Sequence, residues 1–136
     1  MGSWGNNLSL QRKYIPLIGE WERFYGYGEE DQYWDFRAIK NGMICLRSQF
    51  GKDLYVCHIN HDRGINYDFS VINRLYLFEM HPEFEKHIIE YNDKYNMSEH
   101  DDAIIDVNRF RANGLKSSPI YKHLPPLPDC LKKYEK

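Results

Sequence analysis

The chain has few cysteines, no long apolar run and no excess of positive charge across its 136 residues. Its three cysteines, Cys45, Cys57 and Cys130, match no zinc-binding spacing, and we interpret them as reduced apolar residues. No window approaches the roughly 18 consecutive apolar residues of a membrane-spanning helix, so we expect no membrane partner. A formal net charge of -2 gives no general attraction to phosphate, which argues against a nucleic-acid partner.

The length of the chain suffices for one hydrophobic core, so we predict a single domain spanning residues 1–136. Within it, residues 1–13 form an irregular N-terminal arm, and residues 117–136 form a Pro-rich segment that either packs on the domain or extends from it. The N-terminal residues lack the basic stretch and apolar run of a secretory signal. We therefore expect the protein to be cytoplasmic.

An alternating pattern begins at residue 32 and predicts β-structure. Trp34, Phe36 and Ala38 alternate with other residues over 32–39, which is typical of a half-buried strand. Asn41-Gly42 follows, and this dipeptide is a strong signal for a hairpin turn. The pattern predicts that the strand at 32–39 is the first of an antiparallel meander.

Further strands are predicted at 43–48 and 54–60, around a turn at Gly51. Residues 66–80 are rich in Tyr, Phe, Val, Ile and Leu, which favours one or two more strands. The predicted meander therefore runs from about residue 32 to about residue 80.

The second half of the chain changes to helical spacing. Pro82 at a first helical position, acidic residues after it and apolar residues at spacings of three and four predict a helix over about 82–95. Ser98 and Asp101 resemble a capping box and predict a second helix that ends at Asn113-Gly114. The β-branched run at 104–107 leaves a strand open as the alternative. Residues 14–27 contain Pro16 and Gly19, so they are predicted as a short helix or an edge strand.

Strands followed by helices indicate an α+β fold. We predict a mostly antiparallel β-sheet packed by one or two helices from the C-terminal half, with an irregular Pro-rich tail.

His58, His61 and Asp62 are the candidate catalytic residues. Neutral imidazoles bind metals or act as general bases, and a nearby carboxylate completes or orients such a site. Residues three apart on a strand point to opposite faces, so the two histidines converge only if the chain turns after Asn60. Otherwise they are a strand histidine and a solvated loop histidine.

A second candidate site is an acidic, aromatic loop between residues 26 and 33. Tyrosine is favoured as an anchor in protein interfaces, and exposed carboxylates steer a basic partner toward such a surface. The residues predicted to make these contacts are Tyr27, Glu29, Glu30, Asp31 and Tyr33.

The C-terminal segment Lys122-His123-Leu124-Pro125-Pro126-Leu127-Pro128 resembles the proline-rich ligands of Src-homology-3 domains. The resemblance implies that Lys122, Pro125 and Pro128 contact an aromatic groove, with the basic residue setting the direction of binding. The alternative is that the same rigid segment lies against the aromatic residues of its own domain.

Two classes of function remain open. The first is a noncatalytic protein-binding module of inhibitor, immunity or adaptor type, which needs no cofactor and covers a partner surface, a basic one included, with aromatic and acidic residues. The second is a small metal-dependent hydrolase or nuclease-like enzyme that uses His58, His61 and Asp62. The oligomeric state and the identity of a partner or substrate do not follow from the sequence.

Overall fold

A computed structural model describes residues 11–19, 29–43, 69–95 and 98–136, and the side chains of all of these except 30, 31, 95 and 98–103. Within these ranges the chain is helical and contains no β-strand. The α-helices are α1 Ile15–Ile18, α2 Glu30–Lys40, α3 Ser70–Met80, α4 Pro82–Tyr95, α5 Ser98–Asn113 and α6 Asp129–Lys132. Shorter 3-10 turns span Arg12–Tyr14, Leu115–Ser117 and Pro119–His123.

The predicted α+β fold with an antiparallel meander is wrong for the described residues. The strand predicted at 32–39 lies in α2, and the strands predicted at 66–80 are replaced by α3 from residue 70 onward. The strands predicted at 43–48 and 54–60 lie outside the described residues, apart from Met43. The described part of the chain is therefore an all-helical fold.

Helix α2 packs against α4 along a stripe with helical spacing. The ring centroids of Tyr33 and Phe36 each lie 5.3 Å from that of Phe84. One turn further on, Lys40 Nζ lies 3.4 Å from Glu83 Oε1. Positions 33, 36 and 40 share one face because the α-helix repeats every 3.6 residues.

The alternation that predicted a strand at 32–39 was incomplete. Trp34, Phe36 and Ala38 formed one apolar set, but Tyr33 and Ile39 placed further apolar side chains in the other set. The structure buries residues 33–36 consecutively, which a helix enclosed on most sides allows. A strand with one solvated face would have left every second residue exposed.

Asn41-Gly42 ends α2 instead of forming a hairpin turn. Asn41 Nδ2 donates to the Arg37 carbonyl at 2.8 Å, and the Gly42 N–H donates to the Ile39 carbonyl at 2.9 Å. Gly42 has a φ of 78°, in the left-handed region that glycine adopts without strain. The dipeptide suits both hairpin turns and helix ends, because both require positive φ.

Helix α3 is buried on most of its circumference, which explains why its sequence resembled a strand. A short apolar run does not by itself distinguish a buried strand from a buried helix. The buried residues of α3 are Ile72, Asn73, Arg74, Leu75, Leu77 and Phe78.

The helices predicted in the second half are confirmed. α4 spans Pro82–Tyr95, with Glu83 and Glu85 in its first turn, where the helix dipole favours negative charge. α5 spans Ser98–Asn113, so the alternative of a strand at 104–107 is wrong. In the region 14–27, the short-helix alternative is observed as α1, and residues 20–27 lie outside the described residues.

Phe84 lies at the centre of the hydrophobic core. Its side chain is 0% exposed and contacts Tyr33 and Phe36 of α2 and Phe78 of α3. The Phe78 and Phe84 ring centroids lie 5.8 Å apart in an edge-on arrangement. One side chain of α4 therefore joins three helices through aromatic contacts.

The C-terminal segment packs against this core. Leu115 and Leu131 are fully buried in it, and Leu124 and Leu127 pack against it while partly exposed. The predicted irregular tail, residues 117–136, contains the 3-10 turn Pro119–His123 and α6, with extended backbone at Ser118, Leu124 and Pro128.

Gly114 marks the point where this segment closes against the end of α5. It has a φ of 84°, and a Cβ there would lie 2.1 Å from the Lys136 carbonyl oxygen. The next residue, Leu115, donates its N–H to the Tyr134 carbonyl at 2.8 Å. Glycine is required at this position by both the backbone conformation and the lack of space.

We expect Phe84→Ala to lower the free energy of unfolding by about 3–5 kcal/mol, because it opens a cavity among the rings of three helices. Urea denaturation measures the change. Ile89→Ala, at a residue of the same helix that is 40% exposed, is the control and should cost less than about 1 kcal/mol. Equal losses in the two variants would contradict the placement of Phe84 in the core.

Candidate functional site

The predicted catalytic residues His58, His61 and Asp62 lie outside the described residues. Whether they converge therefore stays a prediction. Among the residues that the structure describes, no group of three or more His, Cys, Asp or Glu side chains is arranged to hold a metal ion.

The predicted acidic, aromatic loop does not lie on the surface where the structure describes it. Glu29 is only 6% exposed and Tyr33 only 4% exposed, so neither side chain is available to a partner. Glu30 and Asp31 begin α2, but their side chains are outside the description, as is Tyr27. Tyr33 is a core residue stacked on His81, with ring centroids 4.7 Å apart.

Glu29 is buried because it pairs with Arg74 of α3. Its two carboxylate oxygens accept hydrogen bonds from Arg74 Nε at 2.8 Å and Nη2 at 2.6 Å. This two-pronged geometry offsets part of the cost of removing both charges from water. Glu29 also has a φ of 75°, which is unusual for a residue other than glycine. The pair fixes the start of α2 against α3 and has a structural role.

In the proline-rich segment 122–128, which was predicted to bind a partner, some side chains face solvent and others pack against the core. Lys122 and Pro125 are exposed and Pro128 is half-buried. Leu124 and Leu127, however, pack against the core. The backbone at Leu124 (φ -71°, ψ 137°) is close to polyproline II, as the prolines lead one to expect. In this arrangement the two leucines contact the domain itself, so they are not available to an external groove.

Glu79 of α3 joins the tail to the helices. Its carboxylate accepts hydrogen bonds from Arg111 of α5 at 3.1 Å, from the Tyr134 hydroxyl at 2.9 Å and from Lys133. Burial alone raises the pKa of Glu79, but the hydrogen bonds from Lys133, Tyr134 and Arg111 outweigh it and hold the pKa below its usual value. Glu79 therefore acts as a charged link between α3, α5 and the C-terminal segment.

His87 is a partly buried histidine in the contact between α2 and α4. Its ring lies 5.0 Å from that of Phe36 and 6.4 Å from that of Tyr91, measured between centroids. Burial lowers the pKa of His87 below its usual value of 6.5. The fold thus favours the neutral imidazole.

The most distinctive surface feature lies at α1. Ile15 is 47% exposed, Leu17 is 56% exposed, and Pro16 between them is also exposed. Arg12 and Lys13, in the turn immediately before α1, are exposed as well. We refer to these five residues together as the α1 patch.

The α1 patch is held in place from beneath. Ile18, the last residue of α1, is only 3% exposed and anchors the helix. Gly19 ends the helix with a φ of 85°, and a Cβ there would meet Arg37 Nη1 of α2 at 3.2 Å. The Gly19 N–H donates to the Ile15 carbonyl at 2.9 Å. The exposed apolar residues therefore belong to an ordered turn packed on α2.

No other described segment exposes neighbouring large apolar residues in this way. Elsewhere in the described ranges such side chains are exposed singly, which is common on protein surfaces; they are Ile39, Met80, Ile89 and Ile105. The α1 patch does not follow from the sequence pattern, because Pro16 and Gly19 interrupt any periodicity. The available signal was an apolar run directly after two cations, without the spacing of a core helix.

The comparisons with known proteins give no family: no family model, curated protein or solved structure matches the chain. No helix in the described ranges is both long enough and apolar enough to cross a bilayer.

We expect Glu79→Gln to lower the free energy of unfolding by about 2 kcal/mol, because Arg111, Lys133 and Tyr134 lose a charged acceptor. The pKa of Glu79 is lowered in the fold, so its contribution is present above the unfolded pKa of about 4.5 and is lost as the pH falls through the folded value. Wild type and variant should therefore converge in stability in acid. Denaturation curves across this pH range measure both effects.

Glu90→Gln is the matched control, because the Lys86–Glu90 pair is an exposed contact within one helix, with Nζ and Oε1 3.7 Å apart. It should cost less than about 0.5 kcal/mol. A loss in Glu79→Gln no larger than this would contradict the role of Glu79 as a link.

We expect His87 to make the protein less stable as the pH falls from about 7 to about 5. The pKa of His87 is lowered in the fold, so the unfolded chain binds the proton more readily and gains from acidification. In His87→Gln the slope of stability against pH should become shallower, whatever the loss of ring packing. Ile89→Ala, which removes an exposed apolar side chain of the same helix and no titratable group, should keep the wild-type slope, and an unchanged slope in His87→Gln would refute the prediction.

Proposed function

We propose that this protein is a noncatalytic protein-binding module of inhibitor, immunity or adaptor type, which acts in the cytoplasm by covering the surface of a partner. The observation that carries the proposal is the exposure of Ile15, Pro16 and Leu17 in one ordered turn. When a partner covers apolar side chains that were exposed to water, the free energy of the system falls, which favours binding.

The free energy gained by burying Ile15 and Leu17 is that of one contact within a larger interface. Fully burying an Ile or Leu side chain contributes about 1.5–3 kcal/mol. Because Ile15 and Leu17 are about half-exposed, covering the remainder contributes on the order of 1 kcal/mol for each. Ile18 already orders the turn, so little conformational entropy is lost on binding.

The proposal keeps a function class expected from the sequence but moves it to a different surface. Glu29 and Tyr33 lie in the interior and contribute to folding. Lys122 and Pro125 remain exposed, yet the leucines between and beside the prolines of that motif pack inward. The α1 patch is the described surface with the strongest case for contact.

The test is affinity capture from source cells with three tagged proteins: wild type, Ile15→Ser/Leu17→Ser, and Ile89→Ser/Ile105→Ser as the control. The control also removes two exposed apolar residues, which are 40% and 54% exposed. We expect one partner to be captured stoichiometrically by wild type and control, and at least about tenfold less by the α1 variant, because about 1.4 kcal/mol corresponds to tenfold.

Circular dichroism and thermal melts establish that all three proteins fold alike. Capture of the same partner by the α1 variant at wild-type level would contradict the proposed surface. Failure of the wild type to capture any specific partner would contradict the proposed function.

A further inference from the structure

The two cations of the α1 patch have no acidic partner in the described part of the chain. Neither Arg12 nor Lys13 forms a salt bridge there, and Lys13 Nζ instead lies 4.8 Å from the centroid of the Tyr14 ring. Some other exposed lysines do have an acidic partner, such as Glu83 for Lys40 and Asp129 for Lys132. Within the described residues, the positive charge of the α1 patch is therefore not paired, on a chain whose net charge is -2.

These charges are close to the exposed apolar residues. The backbone is helical from Arg12 to Ile18, and the Ile15 N–H donates to the Arg12 carbonyl. Arg12 and Leu17 are five positions apart in this helical stretch, which at a rise of 1.5–2.0 Å per residue is roughly 8–10 Å. This is about the Debye length at physiological ionic strength, so charge and apolar surface act on the same partner segment.

We infer that the partner of the α1 patch is an acidic segment of another protein, in which Asp or Glu residues flank large apolar side chains. The inference rests on the proposed function and specifies its partner. Apolar side chains of the segment cover Ile15 and Leu17, while its carboxylates pair with Arg12 and Lys13. The positive charges fix the orientation of the segment and speed its approach.

A membrane surface is less well matched to the α1 patch. Helices that bind membranes from the interface have a long apolar face and several cations, and anionic lipids contribute about 1 kcal/mol for each cation. Here α1 has four residues, and the α1 patch contains only two cations, Arg12 and Lys13. A protein segment of defined sequence is better matched to two cations and two apolar side chains than a lipid surface is. Its own carboxylates and apolar side chains are fixed in position and can face them one by one.

The test is to pan a displayed random-peptide library with the full-length protein and then measure the affinity of the selected peptides. The variants are Arg12→Glu/Lys13→Glu and Ile15→Ser/Leu17→Ser. The control for charge reversal is Lys86→Glu/Lys116→Glu, at two exposed lysines outside the α1 patch. The control changes the net charge by the same amount.

We expect wild type and control to select peptides in which Asp or Glu flanks large apolar residues. Affinity for these peptides should fall about tenfold or more in each α1 variant. Added salt should weaken wild-type binding, because it screens the attractive ion pairs, and should strengthen the residual binding of the charge-reversed variant, because it screens the repulsion between the new glutamates and the acidic peptides.

Several results would overturn the inference. Selected peptides without acidic residues, full affinity in the charge-reversed variant, or no enrichment at all would each refute an acidic partner. If the apolar variant alone lost binding, the proposed function would stand without the inference; if neither α1 variant lost binding, both would fall.

Two other occupants are tested directly with the same variants. Co-sedimentation with phosphatidylserine vesicles that required the α1 patch would identify a lipid surface and refute a protein segment. Sedimentation velocity that showed a dimer of the wild type, dissociated by Arg12→Glu/Lys13→Glu, would identify a second copy of this chain and also refute the inference.

Discussion

The contact of Phe84 with three other aromatic rings is the interaction on which the described fold depends. It brings α2, α3 and α4 together, and the buried surface of α2 follows from it, with Tyr33 and Phe36 facing α4. The position of α1 depends on the same contact, because α1 rests on α2 near Arg37. Among the described elements, the exposed patch is therefore attached to the core through α2.

The helices that begin with recognisable N-terminal residues were predicted correctly from the sequence. The prediction was wrong for the helices that could be judged only by their apolar composition. Pro82 and Ser98 open helices with recognisable first turns, and both helices were predicted with nearly correct bounds. α2 and α3 were misassigned because enclosed helices are apolar on most sides, as buried strands are. Asn41-Gly42 reinforced the error, since the positive φ it permits serves a hairpin and a helix end equally well.

The candidate site was less predictable than the fold, because exposure depends on tertiary contacts. An acidic residue such as Glu29 is expected in solvent unless its partner is known, and Arg74 lies 45 residues away in the chain. Tyr33 is two-ended, so it suits a surface or a core. The exposure of Ile15 and Leu17 was equally hard to predict from the sequence, because apolar residues are expected in the interior unless something indicates otherwise.

The link from Glu79 to Tyr134 has a consequence for the order of folding. The two residues are 55 positions apart, and Glu29 and Arg74 are 45 apart. Helical proteins usually fold quickly because most of their contacts are local. Here individual helices can form early, but the buried faces of α3 are fully removed from water only when distant segments reach them. We therefore expect slow closure of long loops, and not helix formation, to limit the folding rate, with an apolar α3 exposed in the species that precede the native state.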